Sequence, residues 1–384
     1  MITDWNRTAD AVINGDAKLY AAEQLVWHGF VSAAVYNAVV GVEGRYSPYK
    51  WHGRAPATAS SEAAAAAAAH RVLLTYFPKS RNRIDAAFED SLAKIPDGRA
   101  QDLGVAFGRK AAEHLVRMRV DDGRGAPVSF GRQPAMGVWR PTPPANQTFH
   151  LPWLAKMRPL LVESSDQFVP GPPPPPHSRQ YARDVAEVKA LGGKKSKRSA
   201  RQTETARFYA DVLTVQLQAA YRGHTARHGL DIVDAARLFA AANTATADAA
   251  ITAWNAKFTH AQWRPITAIR LAATDGNPAT EPDGSWEPLL RTPPYPDYVS
   301  GHCAIDGAAI TVLDRLTGGD VAFRISSAVT GTTRTYKRAA DFNRDVIDAR
   351  VFGGIHYRTS DLVGNAMGRE IGRFALDHYF RPVD

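Results

Sequence analysis

The sequence predicts a mainly α protein made of helix bundles and a long Pro-rich irregular connector. Apolar residues recur at helical spacing over 1–125 and again over 201–384. Alternating strand patterns are almost absent, and no repeat of about 20–50 residues is visible. Prolines crowd into 126–200, where a helix cannot run through them. The chain has 384 residues, 45% hydrophobic and 22% charged, which supplies a large core and excludes a disordered protein.

The elements follow in order. In the first region, 1–125, an apolar stretch over 21–40 ends at Gly41 and Gly44. Ser60 reads as an N-cap, with Glu62 in the first turn, for a helix through Tyr76 that Pro78 stops. The helical pattern continues over 84–92 and 103–120. The second region, 126–200, carries Pro141, Pro143, Pro144, Pro152, Pro159 and the run from Pro172 to Pro176. It is expected to wrap the body as an ordered connector, with the proline run exposed and extended. It ends in the basic loop Gly192-Gly193-Lys194-Lys195-Ser196-Lys197-Arg198. In the third region, 201–384, one helix is expected over 203–221, and Asp231 caps a long one reaching about 259. Further helices are expected over 303–316, ended by Gly318-Gly319, and over 342–352 and 360–380. The three regions are expected to form one unit.

Composition narrows the function. The only cysteine, Cys303, excludes an intrachain disulfide scaffold and a Cys-rich metal site. The opening Met1-Ile2-Thr3-Asp4-Trp5 is polar at once, unlike a signal peptide, and no window has about 18 uninterrupted apolar residues. The expectation is a soluble chain without membrane contact, cytoplasmic by default, or the mature form of an exported one. Lys and Arg total 47 against 38 Asp and Glu, a formal excess of +9 that invites an anionic ligand, surface or nucleic acid.

Three pieces of the last third carry chemistry. They are Lys257-x6-Arg264-Pro265, Ser300-Gly301-His302 and Arg350-x5-His356. Lys257 and Arg264 have no carboxylate close by in sequence, Arg350 has Asp348 two residues before it, and three converging cations suit a tetrahedral oxyanion. Ser300 and Gly301 precede a helix, where a hydroxyl and backbone N–H groups make an anion site. Glycine lets the backbone approach closely. His302, on the first turn, stands where a proton donor or acceptor is useful. His356 follows Gly353-Gly354 and reaches the centre from the opposite side, as ligand or nucleophile.

These pieces resemble the signature shared by vanadium-dependent haloperoxidases, bacterial class A acid phosphatases and type 2 phosphatidic acid phosphatases. That signature reads Lys-x6-Arg-Pro, Pro-Ser-Gly-His and Ser-Arg-x5-His-x3-Asp. Trp254, Trp263, Ile269-Arg270, Pro293-Pro294-Tyr295-Pro296, Gly353-Gly354-Ile355 and the stretch from Gly137 to Pro144 resemble the soluble bacterial haloperoxidase branch. So does the apolar stretch from Ala33 to Val39. The resemblance implies a haloperoxidase or acid-phosphatase-like helical fold and vanadate as cofactor, in a site that phosphate also fits. It implies that Lys257, Arg264, Ser300, Gly301 and Arg350 bind equatorial vanadate oxygens. It implies that His356 is the metal ligand and that His302 is the acid/base on the opposite side. The implied partners are hydrogen peroxide, halide and a small organic substrate.

The chain departs from the signature at three places. Val299 replaces proline and is expected to loosen the turn before Ser300; Ala349 replaces serine; position 360 is serine, with Asp361 one place late. Asn37 stands where aspartate is common and receives no catalytic role. Trp263 is read as a core residue, His260 as a helix C-terminal charge and Cys303 as a small buried residue. Asp306, four residues after His302 and so on the same helix face, is read equally as tuning that histidine or as a plain surface or core-edge residue.

The competing enzyme reading is a phosphomonoesterase, with His356 attacking phosphorus and His302 protonating the leaving oxygen. A nucleic-acid binder has only the short run from Lys194 to Arg198, without interleaved aromatics, so no nucleic-acid partner is expected. A homodimer fits a chain of this size.

Overall fold

The helices are set out by their caps and their buried faces. The computed structural model describes residues 1–319 and 321–383. The N-terminal part contains α1 (Ile2–Asp10), α2 (Ala21–Glu43), α3 (Ser61–Tyr76), α4 (Arg81–Leu92) and α5 (Arg99–Met118). Ser60 Oγ accepts the Ala63 N–H at 3.1 Å, and Pro78 follows the end of α3, as its sequence demands. The helix α2 is long and apolar enough to cross a membrane by length and composition, yet its most apolar window is 89% buried inside the protein.

Apart from a short 3-10 helix at Pro152–Lys156, the long connector is irregular as far as Ser178 and is laced to the body. The Asp248 carboxylate accepts the successive N–H groups of Leu160, Leu161 and Val162 at 2.6, 2.7 and 2.9 Å. Trp139 N–H donates to Ala261 and His150 N–H to Pro294. A helix was not expected in this region, but α6 (Arg179–Gly192) forms just beyond the proline run, with Ser178 as its cap. The prolines exclude helix only where they stand. The basic loop is less free than its composition implied. Lys194 pairs with Glu287 at 2.6 Å, and Arg198 folds back onto the carbonyls of Leu191, Gly193 and Phe352.

The third region holds α7 (Ala200–Phe208), α8 (Leu213–His228), α9 (Ile232–His260), α10 (Pro265–Arg270) and α11 (Gly301–Leu316). It closes with α12 (Ala339–Phe352) and α13 (Arg358–His378). The helix expected over 203–221 is two helices. It breaks where the Asp211 carboxylate captures the Ala328 N–H and the Tyr209 carbonyl accepts Arg350 Nη1 at 2.9 Å. An antiparallel hairpin, β1 (Phe323–Ser327) and β2 (Thr332–Tyr336), also went unexpected; it pairs Phe323 with Tyr336 and Ser327 with Thr332. Five-residue strands carry a weak period-2 signal.

The long helix α9 is the spine, capped by Asp231 on the N–H groups of Val233 and Asp234. It packs on α2 and on α11, and α11 packs on α13. That last contact is unusually close. A Cβ added at Gly364, Gly368 or Gly372 of α13 would lie 2.6 Å from Ser300 O, 1.9 Å from Ala304 O and 2.9 Å from Ala308 O. The main core is continuous, and a smaller cluster of Tyr181, Trp263, Ile266, Ile269, Trp286 and Tyr357 lies apart from it.

Candidate functional site

The three pieces of the last third arrive from the C-terminus of α9, the N-terminus of α11 and the turn between α12 and α13. All seven residues singled out in sequence lie in the interior. Lys257, Arg264 and Ser300 have no exposed surface, His356 retains 2% and Arg350 7%, and Gly301 is buried. His302 is the most open, with 11% of its side chain exposed.

Lys257 stands in the last turn of α9 and holds the loop that enters α11. Its Nζ donates to the carbonyls of Pro296, Asp297 and Val299 at 2.9, 2.8 and 2.5 Å. Burial, and then the charge of Arg264, push its pKa well down, while Asp297 opposes the shift. Three acceptors nevertheless require three N–H groups, which only the ammonium form has. The turn before Ser300 is not loosened by Val299, because that buried valine's carbonyl is one of the three.

Arg264 lies just before α10. Its Nε donates to Tyr295 O and its Nη1 to Ile355 O, both at 2.7 Å, while Nη2 is buried without a partner. Tyr295 also lies under both cations, its ring centre 4.9 Å from the Arg264 guanidinium and 5.1 Å from Lys257 Nζ. Arg350, in the last turn of α12, donates Nη1 to Tyr209 O and leaves its buried Nε unpartnered. Ser300 is the N-cap residue of α11, yet its side chain makes no cap bond. It stands beside Asp361 and Cys303, but its buried Oγ has no hydrogen bond of good geometry.

His356 follows a turn that Gly354 makes at φ +75°, where a Cβ would sit 2.3 Å from the Gly192 carbonyl. Arg264 Nη1 is 3.1 Å from its Nε2. The Asp297 carboxylate lies 3.0 Å from its Nδ1. Burial, then Arg264, Lys257 and Arg350, hold the imidazole pKa well below the usual value, so the ring is neutral. His302 is also lowered, first by burial and then by Arg350, against Asp306 at 3.3 Å. The buried Asp306 thus touches His302, as its spacing allowed. The Tyr209 ring meets His302 edge-on at 6.4 Å.

Two carboxylates missing from the local sequence of the cations come in from elsewhere. Burial raises Asp297 to about 6, although Arg264 and Lys257 pull it down. Burial raises Asp361 further above the ordinary range, and Cys303 Sγ lies 3.3 Å from its Oδ1. Sequence reasoning assigned Asp297 no role, although it lies three residues before Ser300 inside the motif loop.

The other named residues are structural. Trp263 is fully buried in the smaller core cluster. His260 ends α9 as expected and ties down the connector through the Pro170 carbonyl at 3.0 Å. Asn37 is buried and exchanges two hydrogen bonds with the Tyr49 backbone.

Residues 237–384 match the family described as the VCPO second helical-bundle domain. The vanadium chloroperoxidase of Curvularia inaequalis is 28% identical over 208 residues, 45% of this chain but only 33% of that protein. The match therefore spans about a third of that relative's length. The crystal structure of the first bacterial vanadium-dependent iodoperoxidase superposes with a TM-score of 0.85 at 23% identity, covering 100% of this chain and 98% of that one. A holo-type bacterial vanadium-dependent chloroperoxidase gives 0.72 at 18% identity, covering 93% and 92%.

Proposed function

We propose that this chain, which carries the helical fold of the vanadium haloperoxidases, is a vanadate-dependent haloperoxidase. In this reading it oxidises halide with hydrogen peroxide to hypohalous acid and so halogenates small organic substrates. The observation that carries the reading is a set of buried polar atoms without protein partners on the motif residues. They are Arg264 Nη2, Arg350 Nε and Ser300 Oγ, and the charges of Arg264 and Arg350 both act on the His356 imidazole. Buried donors are rarely left unpaired, so an acceptor-rich, anionic guest fits them. The charge balance agrees. Lys257, Arg264 and Arg350 meet one carboxyl near pKa 6, Asp297, and one held well above the ordinary range, Asp361.

Vanadate fits this donor set, and when bound it supplies a Lewis acid that polarises oxygen without changing oxidation state. The residues have separate tasks. Arg264, Arg350, Ser300 and the Gly301 N–H hold anionic oxygens by charge-assisted hydrogen bonds. Lys257 adds positive charge and fixes the loop that presents Ser300. His356 offers an Nε2 lone pair as the metal ligand, and His302 takes up and returns a proton, with Asp306 beside it. Depth excludes bulk water from the cations, which strengthens their pull.

A phosphomonoesterase is the second reading, favoured by one observation. The carboxylate on His356 Nδ1 would equally steady a nucleophilic imidazole. The test uses purified chain stripped of bound anion. It is assayed on an aryl phosphate, then with vanadate, peroxide and bromide on an indicator dye. Dye bromination that needs vanadate and is lost in His356→Ala supports the haloperoxidase. Phosphate ester hydrolysis with no halogenation anywhere between about pH 5 and 8, the range where a histidine switches, overturns it.

A further inference from the structure

We infer that Asp297 is the positioning residue for His356, replacing the carboxylate that the signature sets four residues after that histidine. The inference rests on the proposed function for what His356 Nε2 binds. Its geometry stands apart from that reading.

The residue in the signature's place is Ser360, and it does not orient the imidazole. Its Oγ donates to the Asp297 carbonyl at 3.2 Å. The next residue, Asp361, lies against Cys303 Sγ and Ser300 on the α11 side. The remaining carboxylate is Asp297, with no exposed surface and its Oδ1 3.0 Å from His356 Nδ1. Its backbone leaves it no freedom to move away. The Asp297 N–H donates to Gln262 O at 2.9 Å, and its carbonyl accepts both Lys257 Nζ and Ser360 Oγ.

Arg264 reaches the same imidazole from beside Asp297, its Nη1 3.6 Å from the Asp297 Oδ1. Arg264 Nη1 lies 3.1 Å from Nε2 and 3.4 Å from Nδ1. A guanidinium only donates, and its nearer contact is Nε2, so that nitrogen is the better placed to present a lone pair. In a neutral imidazole the carboxylate 3.0 Å from Nδ1 then favours the single proton there. Nε2 then keeps its lone pair, turned here toward Arg264 Nη1, and the carboxylate at Nδ1 makes it more basic, the arrangement that metal-binding histidines use. Ser360 acts at one remove, by fixing the backbone that carries Asp297.

The experiment records the imidazole 15N signals of the vanadate-free full chain, with His356 assigned by His356→Gln. It is repeated on Asp297→Asn, whose fold is checked by near-UV circular dichroism. Vanadate affinity is measured by calorimetric titration of both proteins. The expected result is an Nδ1-protonated His356 in the native chain. In Asp297→Asn the negative charge is lost while a carbonyl oxygen can still accept from Nδ1, and vanadate affinity falls about 10- to 100-fold. An Nε2-protonated His356 in the native chain overturns the inference, and so does an Asp297→Asn protein that keeps the native vanadate affinity. If Asp297→Asn does not fold, the native spectrum decides alone. Failure of the native chain to bind vanadate would sink the proposed function, while the tautomer would still judge Asp297.

Discussion

Replacing Gly368 with alanine should separate the two helices that frame the site. The added Cβ would lie 1.9 Å from Ala304 O, 2.7 Å from its carbonyl carbon and 2.9 Å from its Cα. These are backbone atoms in the middle of α11, so no side chain can rotate out of the way. The helices must part by about 1 Å before that oxygen contact reaches even 3.0 Å. Overpacking of this kind costs about 1–3 kcal/mol. For a chain this long that is a fall in Tm of about 1–4 °C. The larger effect falls on the site, because α11 carries Ser300 and His302 at its start and α13 begins two residues after His356. A 1 Å misplacement of reacting groups costs about 10²-fold, so halogenation should drop far more than stability. Scanning fluorimetry and the vanadate-dependent dye assay measure the two effects. Gly15→Ala is the control, since a Cβ there meets nothing within 4 Å. A Gly368→Ala protein with native Tm and native activity would refute the argument that this contact sets the distance between the two halves of the site.

Three further outcomes are expected. Ser300→Ala should leave urea stability within about 0.5 kcal/mol, because Ser300 Oγ makes no hydrogen bond of good geometry in the fold, yet weaken vanadate binding about tenfold in a titration. Asp248→Ala strips the acceptor from three successive N–H groups of the connector. It should lower urea stability by about 3–5 kcal/mol and speed proteolysis near Leu160. His224 is held at about pKa 4 by burial, with His228 and Arg227 adding to the effect. The unfolded chain protonates it near pH 6.5, so stability is full above about pH 6.5 and falls towards pH 4. His224→Gln should flatten that slope in urea midpoints taken at several pH values across the window.

The helices that the sequence announced clearly were those with both a cap and a stop. Ser60 with Pro78, and Asp231 with the turn after His260, each carry a local signal that tertiary contacts reinforce. The break between α7 and α8 was hidden because it depends on Asp211 meeting Ala328, 117 residues away. The site divides along the same line. Lys257, Arg264, Ser300, Gly301, His302, Arg350 and His356 stood out because three short motifs fix residue type and spacing together. Asp297 was passed over although it stands inside the quoted loop. Its meaning comes from His356, 59 positions on, and from Ser360 having left the usual place vacant.

The three carbonyls on Lys257 Nζ make that ammonium a knot in the chain as well as a charge. The stretch of loop it ties is the one that leads into Ser300 and sets Asp297 beside His356. Electrostatics and chain path are therefore inherited together at position 257. A neutral replacement such as Lys257→Met unties the entry to α11 while it removes the charge. Lost activity in that variant would then report a collapsed doorway, and Ser300→Ala becomes the cleaner probe of what the doorway admits.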